Sequence, residues 1–413
     1  MGKKIVILGA GFGGLHAAMV LGKKIGRRNE VILIDRNPYH TYTPTLYEIA
    51  TTSKEVANLV DLKSIVTFPI AEILKGMPVG FTEAEIKELD LKGGDIHLDD
   101  GQKLKYDFLI IALGAETNYF NIPGLKENSL DLKSFNEAVK IRDTVWNLID
   151  GGNKNVKILI GGGGSTGVEL AGELQQWLCE FDKGHKKCFA EVKIIEAGPS
   201  ILNGFPKTVV EKVMRRLARL AVEVITNEAI KEVAKKEVLL NSGKKIPFDV
   251  LIWAGGVKAN SLTSGLPLKI ERRGRAEVMP GMICLPESPE LKLFGKIYGL
   301  GDVTCFYKND GTPIPSVARA AISQADIVAK NIICDIYGKE PVKYKPTEYP
   351  YIIPVGGKYA VAKVGPIIIS GFSAWILKGF VELNYLLSIM PPGRAVKTWL
   401  RGLKIFIQND RLG

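Results

Sequence analysis

The chain has 413 residues, 46% of them hydrophobic and 24% charged, with 55 Lys and Arg against 44 Asp and Glu for a net charge of +11. That composition excludes a disordered or collagen-like chain, and the length predicts two or three domains. The excess positive charge leaves nucleic acid, an anionic membrane and an acidic ligand open until the charges are located.

A strand is predicted from Lys3, which leaves no room for a signal peptide. The apolar run Ile5–Leu8 ends at Gly9, and Gly11 and Gly14 complete G-x-G-x-x-G before a helix-like stretch, Leu15 to Leu21. Gly9 suits a tight turn, Gly11 lets backbone approach a pyrophosphate, and Gly14 lets helix and strand pack closely. The helix N-terminus adds N–H groups and a positive dipole end for phosphate. A second apolar run, EVILID, ends at Asp35, 21 residues past Gly14, where an acid accepts ribose hydroxyls. The stretch Tyr106–Asn118 then carries a hydrophobic strand that ends at Gly114.

The same device recurs. After the strand Val156–Ile160 come Gly162, Gly164 and Gly167, and the next strand ends at Glu196, which would bond the adenosine ribose and repel a 2′-phosphate. NADH is therefore expected over NADPH. The run Phe248–Asn260 brings Gly255 to this second cradle, and the strand in Lys296–Thr304 delivers Asp302 ahead of a predicted helix. Two cradles predict two dinucleotides, a flavin held permanently and a nicotinamide that comes and goes.

The five cysteines (Cys179, Cys188, Cys284, Cys305, Cys334) form no C-x-x-C and no zinc spacing, so they read as scattered buried thiols and no metal is expected. Toward the C-terminus, Gly365–Gly393 is strongly apolar, but Lys378 and Glu382 interrupt it and it falls short of a clean membrane span. Beyond Pro391 and Pro392, Val396, Trp399, Leu400, Leu403, Phe406 and Ile407 share one face of a predicted helix. Lys397, Arg401 and Lys404 share another, with Arg394 just before. A basic amphipathic helix with a tryptophan suits the surface of an anionic membrane. Nucleic acid is not expected, because the other lysines are scattered without interleaved aromatics.

Together these residues resemble the two-dinucleotide-domain flavoproteins of the pyridine-nucleotide oxidoreductase family. More narrowly, HTYTPTLYEIAT (His40–Thr51), STGVELAGEL, IEAGP (Ile195–Pro199) and IYGLGD are similar to the type II NADH dehydrogenases, single-subunit NADH:quinone oxidoreductases. The resemblance implies an α/β fold of two Rossmann-like domains plus a C-terminal membrane-binding segment. The FAD domain would take residues 1–115 and 275–345, the NADH domain 116–274 and the membrane region 346–413. By the same resemblance Gly9, Gly11, Phe12, Gly13, Gly14, Asp35, Arg36, Gly114 and Asp302 would hold FAD, with Pro44, Leu46 and Tyr47 near its ring system. Gly162, Gly164, Ser165, Thr166, Gly167, Glu196 and Gly255 would hold NADH. Glu169 would orient the nicotinamide or pass a proton toward quinone; on residue chemistry alone it is also a first-turn acid stabilised by the helix dipole.

The resemblance implies a peripheral protein on the cytoplasmic face of the cell membrane, with quinone as acceptor, and leaves a homodimer open. One departure falls at the expected quinone entrance. Where the family shows A-Q-x-A-x-Q-Q, this chain has VARAAISQA, so Arg319 and Ser323 replace two glutamines and Gln324 remains. Arg319 and Gln324 are the candidate quinone residues, and a buried arginine there would carry a desolvation cost. Related disulfide reductases carry redox cysteines facing the flavin, and Tyr39–Tyr47 contains none; related sulfide:quinone oxidoreductases carry them after the first glycine-ended strand, and Gly114–Asn128 contains none. A sulfide:quinone oxidoreductase-like enzyme and a soluble NADH oxidase or diaphorase are the alternatives.

Overall fold

The computed structural model describes residues 2–26, 28–152, 155–180 and 190–409. The chain forms two compact units. The first comprises 1–40, 68–116 and 257–349; the second comprises 41–67, 117–256 and 350–413.

The first unit is built on a five-stranded parallel sheet in the order Lys296–Gly299, Phe108–Ile111, Lys4–Leu8, Glu30–Asp35, Gly80–Glu83. In chain order that is the 3-2-1-4-5 arrangement of a doubly wound fold, whose ligand crevice lies beyond the carboxyl ends of the strands. Ile5, Ile7, Leu8, Leu109 and Ile110 are fully or almost fully buried. This explains why these strands read as continuous apolar runs and not as alternating ones. The helix Phe12–Lys24 follows the first strand and ends in Lys23 and Lys24, which complement its dipole. It packs against the helix Ala318–Ile336.

The second unit repeats the design. Its four parallel strands run Glu223–Ile225, Ala190–Ile195, Val156–Gly161, Val250–Trp253. Each unit also inserts a three-stranded antiparallel sheet: Ile86–Asp90, Asp95–Leu98 and Lys103–Lys105 in the first, Ile230–Ala234, Glu237–Leu240 and Lys245–Pro247 in the second. The fold class expected from the glycine turns is the observed one.

The unit boundaries differ from those expected. The chain returns to the first unit at Val257 and not near 275, because the Asn260 N–H donates to the Gly114 carbonyl and Leu268 bridges Pro286, all within that unit. Residues 350–413 belong to the second unit. They form an antiparallel sheet (Tyr351–Pro354, Ala360–Val364, Ile367–Gly371) followed by the helices Phe372–Ile389 and Pro392–Asn409.

The last helix corrects the expected amphipathic face. Phe406 is buried with Ile405 in the core that also holds Leu62, Ile65 and Val66. Asn409 accepts from the Ser53 amide at 2.9 Å and donates to the Thr51 carbonyl at 3.1 Å, and Arg401 pairs with Asp61. Val396 and Leu400 remain exposed, as do Phe372, Ile376, Phe380 and Val381 of the preceding helix. No described helix is long and apolar enough to cross a membrane. Among the cysteines, Cys284, Cys305 and Cys334 are free and buried. Cys179 is disulfide-bonded, which corrects the expectation of thiols alone; Cys188 lies outside the described residues.

Candidate functional site: two matching dinucleotide cradles

In the first cradle Gly9 has φ +99° and its N–H donates to the Ile34 carbonyl at 2.8 Å. A Cβ at Gly9 would meet the Ala112 carbonyl oxygen at 2.5 Å, and one at Gly14 would overlap the Gly9 carbonyl oxygen. One at Gly13 would run into the Leu300 side chain, whereas Gly11 faces open space. Gly9 and Gly14 are thus fixed by backbone contacts, Gly13 is crowded by a side chain, and Gly11 leaves room for a ligand. Phe12 follows as the first residue of the helix, whose N-terminal turn directs N–H groups toward that space.

Asp35 accepts from the Ala10 N–H at 2.7 Å and, through its other oxygen, from the Asn37 N–H at 2.8 Å. His40 Nδ1–H donates to the Ala10 carbonyl at 2.9 Å. That bond puts the proton on Nδ1, and burial pushes the ring down to about 4, so the imidazole is neutral. Arg36 is exposed beside Asp35. Gly114 has φ +70° and open space around it, and its carbonyl accepts from the Asn260 N–H at 3.1 Å. Asp302 lies in the turn Gly301–Val303, which follows the strand Lys296–Gly299.

The second cradle repeats the glycine-turn and carboxylate bonds of the first. The Gly162 N–H donates to the Ile195 carbonyl at 2.8 Å, as Gly9 does to Ile34. Glu196 accepts from the Gly163 N–H at 2.6 Å and the Gly198 N–H at 2.7 Å, as Asp35 does from Ala10 and Asn37. Gly167 packs on the Gly162 carbonyl, and Gly164 faces open space with Ser165 and Thr166 exposed in the first helical turn. Gly255 has a different reason to be glycine: a Cβ there would strike the Trp253 ring. Each cradle fits the pyrophosphate and ribose of an adenine dinucleotide, because each offers a Cβ-free opening, a helix N-terminus and a held carboxylate.

The second unit also buries a cluster of charges. Glu169 lies on the helix Ser165–Glu180, and burial pushes its carboxyl up to about 8, with Lys378 opposing and Glu48 adding. Burial pushes Glu382 up to about 7. Lys378 donates to Glu48 at 2.6 Å and sits 5.2 Å from the centre of the Tyr47 ring. Burial alone would lower the Lys378 ammonium, but Glu48, Glu382 and Glu173 outweigh it. One ammonium cannot neutralise all these carboxyls, so Glu169 and Glu382 keep protons near neutral pH. Leu46 and Tyr47 open the short buried helix Leu46–Ile49, whereas Pro44 is exposed in the turn before it.

The two candidate quinone residues differ in exposure. Arg319 is exposed, so the desolvation cost assigned to it does not arise. Gln324 is buried, and its Oε1 accepts from the Gly301 N–H at 2.7 Å, which ties it to the turn carrying Asp302. Ser323 joins Tyr349 and Tyr344 in a hydroxyl cluster. Sequence reasoning gave His40, Glu48 and Lys378 no role of their own. The available signal was Lys378 and Glu382, one helical turn apart in an apolar run, which marks a buried charged face.

A profile of the pyridine nucleotide-disulphide oxidoreductase family matches residues 3–325. A demethylphylloquinone reductase, NdbB, from Synechocystis sp. is 29% identical over 394 residues, covering 92% of this chain and 91% of that protein. A type II NADH:quinone oxidoreductase from Mycobacterium tuberculosis is 26% identical over 424 residues, covering 96% and 87%. The solved structure of NDH2 from Plasmodium falciparum in complex with NADH shares the fold, with a TM-score of 0.82 at 19% identity and 98% of each chain covered.

Proposed function

The chain belongs to the pyridine nucleotide-disulphide oxidoreductase family, and from that premise we propose that it is a type II NADH dehydrogenase, moving two electrons from NADH to a membrane quinone without pumping protons. The observation that carries this is the pair of matching cradles, one for a resident dinucleotide and one for an exchanging one, in a chain similar over more than nine-tenths of its length to quinone reductases. FAD, when bound in the first cradle, supplies the relay that takes up two electrons and hands them on.

The chain's own groups do the rest. Gly9, Gly13 and Gly14 shape the first turn, Gly11 opens it, and Asp35 and His40 clamp it while Asp35 keeps lone pairs for ribose hydroxyls. Phe12, Arg36, Gly114 and Asp302 border the same FAD site, and Pro44, Leu46 and Tyr47 the ring system. Gly162, Gly164, Ser165, Thr166, Gly167 and Gly255 receive NADH. Glu196 accepts its ribose hydroxyls and disfavours a 2′-phosphate. Glu169, protonated at neutral pH, supplies a proton to the reduced quinone. Arg319 and Gln324 stand at the quinone entrance, Gln324 by fixing the Gly301 turn.

The exposed apolar residues Phe380, Val381, Val396 and Leu400, flanked by Arg394, Lys397 and Lys404, attach the protein peripherally to an anionic membrane on its cytoplasmic face. The cysteines favour this reading over sulfide oxidation: burial pushes the Cys284 thiol up to about 12 and raises Cys305. Steady-state NADH consumption tests the proposal. Turnover should need a quinone and give parallel ping-pong lines; equal turnover with oxygen alone would favour a soluble oxidase.

A further inference from the structure

The second unit holds one aromatic ring in solvent at a backbone cost. Phe120 is 57% exposed, with φ +51°, and its neighbour Asn121 has φ +55°. Left-handed backbone brings Cβ against the following carbonyl, a cost that persists only where the surrounding structure fixes the segment. The segment is pinned in place. The Asn118 Oδ1 accepts from the Phe120 N–H at 3.0 Å, the Trp253 Nε1–H donates to the Asn118 carbonyl at 2.8 Å, and the Asn118 N–H donates to the Gly256 carbonyl at 3.1 Å. The Phe120 ring stands edge-on to Trp253, centroids 6.4 Å apart, and borders Gly256, where a Cβ would lie 3.1 Å from Cζ.

Sheet order says what passes there. The strands run Glu223–Ile225, Ala190–Ile195, Val156–Gly161, Val250–Trp253. A dinucleotide lies across their carboxyl ends, with adenosine at Glu196 after the second strand and pyrophosphate at the Gly162 turn after the third. Its other half therefore reaches the end of Val250–Trp253, where Phe120 stands. We infer that Phe120 binds and orients the nicotinamide half of NADH, its ring packing against the nicotinamide riboside. This rests on the NADH reading above and names a residue within it.

The test uses the full-length, FAD-loaded protein and calorimetric binding of NAD+ and of ADP-ribose, which lacks the nicotinamide. Phe120→Gly should raise Tm, because glycine accepts the left-handed φ, while NAD+ binding weakens about tenfold and ADP-ribose binding stays within about twofold. Phe120→Leu, which keeps apolar bulk, should also weaken NAD+ binding, and Phe120→Tyr should keep it. Unchanged NAD+ binding in both the glycine and leucine variants, or equal losses for NAD+ and ADP-ribose, would overturn the inference. Wild-type protein that binds neither ligand would remove the NADH reading itself.

Discussion

Lys378 and Glu48, 330 residues apart in sequence, meet at 2.6 Å with side chains only 15% and 9% exposed. Breaking one member of such a pair leaves an uncompensated buried charge and costs about 3–5 kcal/mol, whereas replacing both with apolar or neutral groups can be close to neutral. Lys378→Met should therefore lower Tm sharply, and Lys378→Met with Glu48→Gln should recover most of the loss. Chemical denaturation of the two single variants and the double variant checks this. The Lys378→Met penalty should shrink as pH falls, because Glu48, already raised by burial, then takes up a proton.

Glu169 gives a pH prediction with a definite sign. The unfolded carboxyl ionises near 4.5, while the folded one keeps its proton up to about 8. Its contribution to stability is thus complete below 4.5 and is lost progressively as pH rises to about 8. Glu169→Gln, which cannot ionise, should match the wild type near pH 4.5 and melt higher than it at pH 8. Reoxidation by quinone should fall in the wild type as pH rises through about 8, and should be slow in Glu169→Gln at every pH.

His40 behaves oppositely. Its ring is lowered to about 4 against an unfolded value near 6.5, so its contribution is present above 6.5 and is lost as pH falls toward 4. His40→Ala should flatten that part of the stability profile. It should also cost about 1–3 kcal/mol at neutral pH, because the Ala10 carbonyl loses its donor. Loosened FAD should accompany the change, measured as flavin released on dilution.

The glycines separate folding from binding. Gly14→Ala drives a methyl into the Gly9 carbonyl oxygen, a backbone atom that cannot step aside, and should yield little folded protein. Gly164→Ala meets nothing, so the variant should fold, stay yellow and keep its Tm. On the proposed reading its added methyl takes space the NADH pyrophosphate would occupy, and KM for NADH should rise about tenfold.

Membrane attachment has its own check. Phe380→Asp with Leu400→Asp places charge on the exposed apolar face without touching the buried Phe406. Flotation with vesicles containing anionic lipid should be lost, while turnover with a water-soluble quinone persists. Flotation equal to wild type would send that face to another occupant, such as a second copy of the chain.

Both glycine turns, Asp35 and Glu196 were legible in sequence because each requirement is local: a strand, a turn that excludes Cβ, a helix start and an acid after the next strand. Even so, their shared bonding, down to acceptance from Ala10 in one cradle and Gly163 in the other, is visible only in three dimensions. The return of the chain at Val257 was hidden because single contacts hold 257–274 in that unit, the Asn260 bond to Gly114 and the Leu268–Pro286 bridge, with no periodicity to read. Phe406 was placed on the lipid-facing stripe because helical spacing gives a face without saying what covers it; Ile65 and Asn409's bonds to the segment Thr51–Ser53 do. The pairing of Glu48 with Lys378 was out of reach for the same reason: Lys378 and Glu382 in an apolar run mark a buried charged face, but nothing local names a partner 330 residues away.

Anaerobic stopped-flow spectroscopy of the purified, FAD-loaded protein tests electron transfer from NADH to quinone most directly. Mixing with NADH should bleach the flavin absorbance, and a second mixing with a water-soluble quinone should restore it at a rate that climbs with quinone concentration. Flavin that NADH leaves oxidised, or that recovers at one rate whatever the quinone concentration, would contradict it.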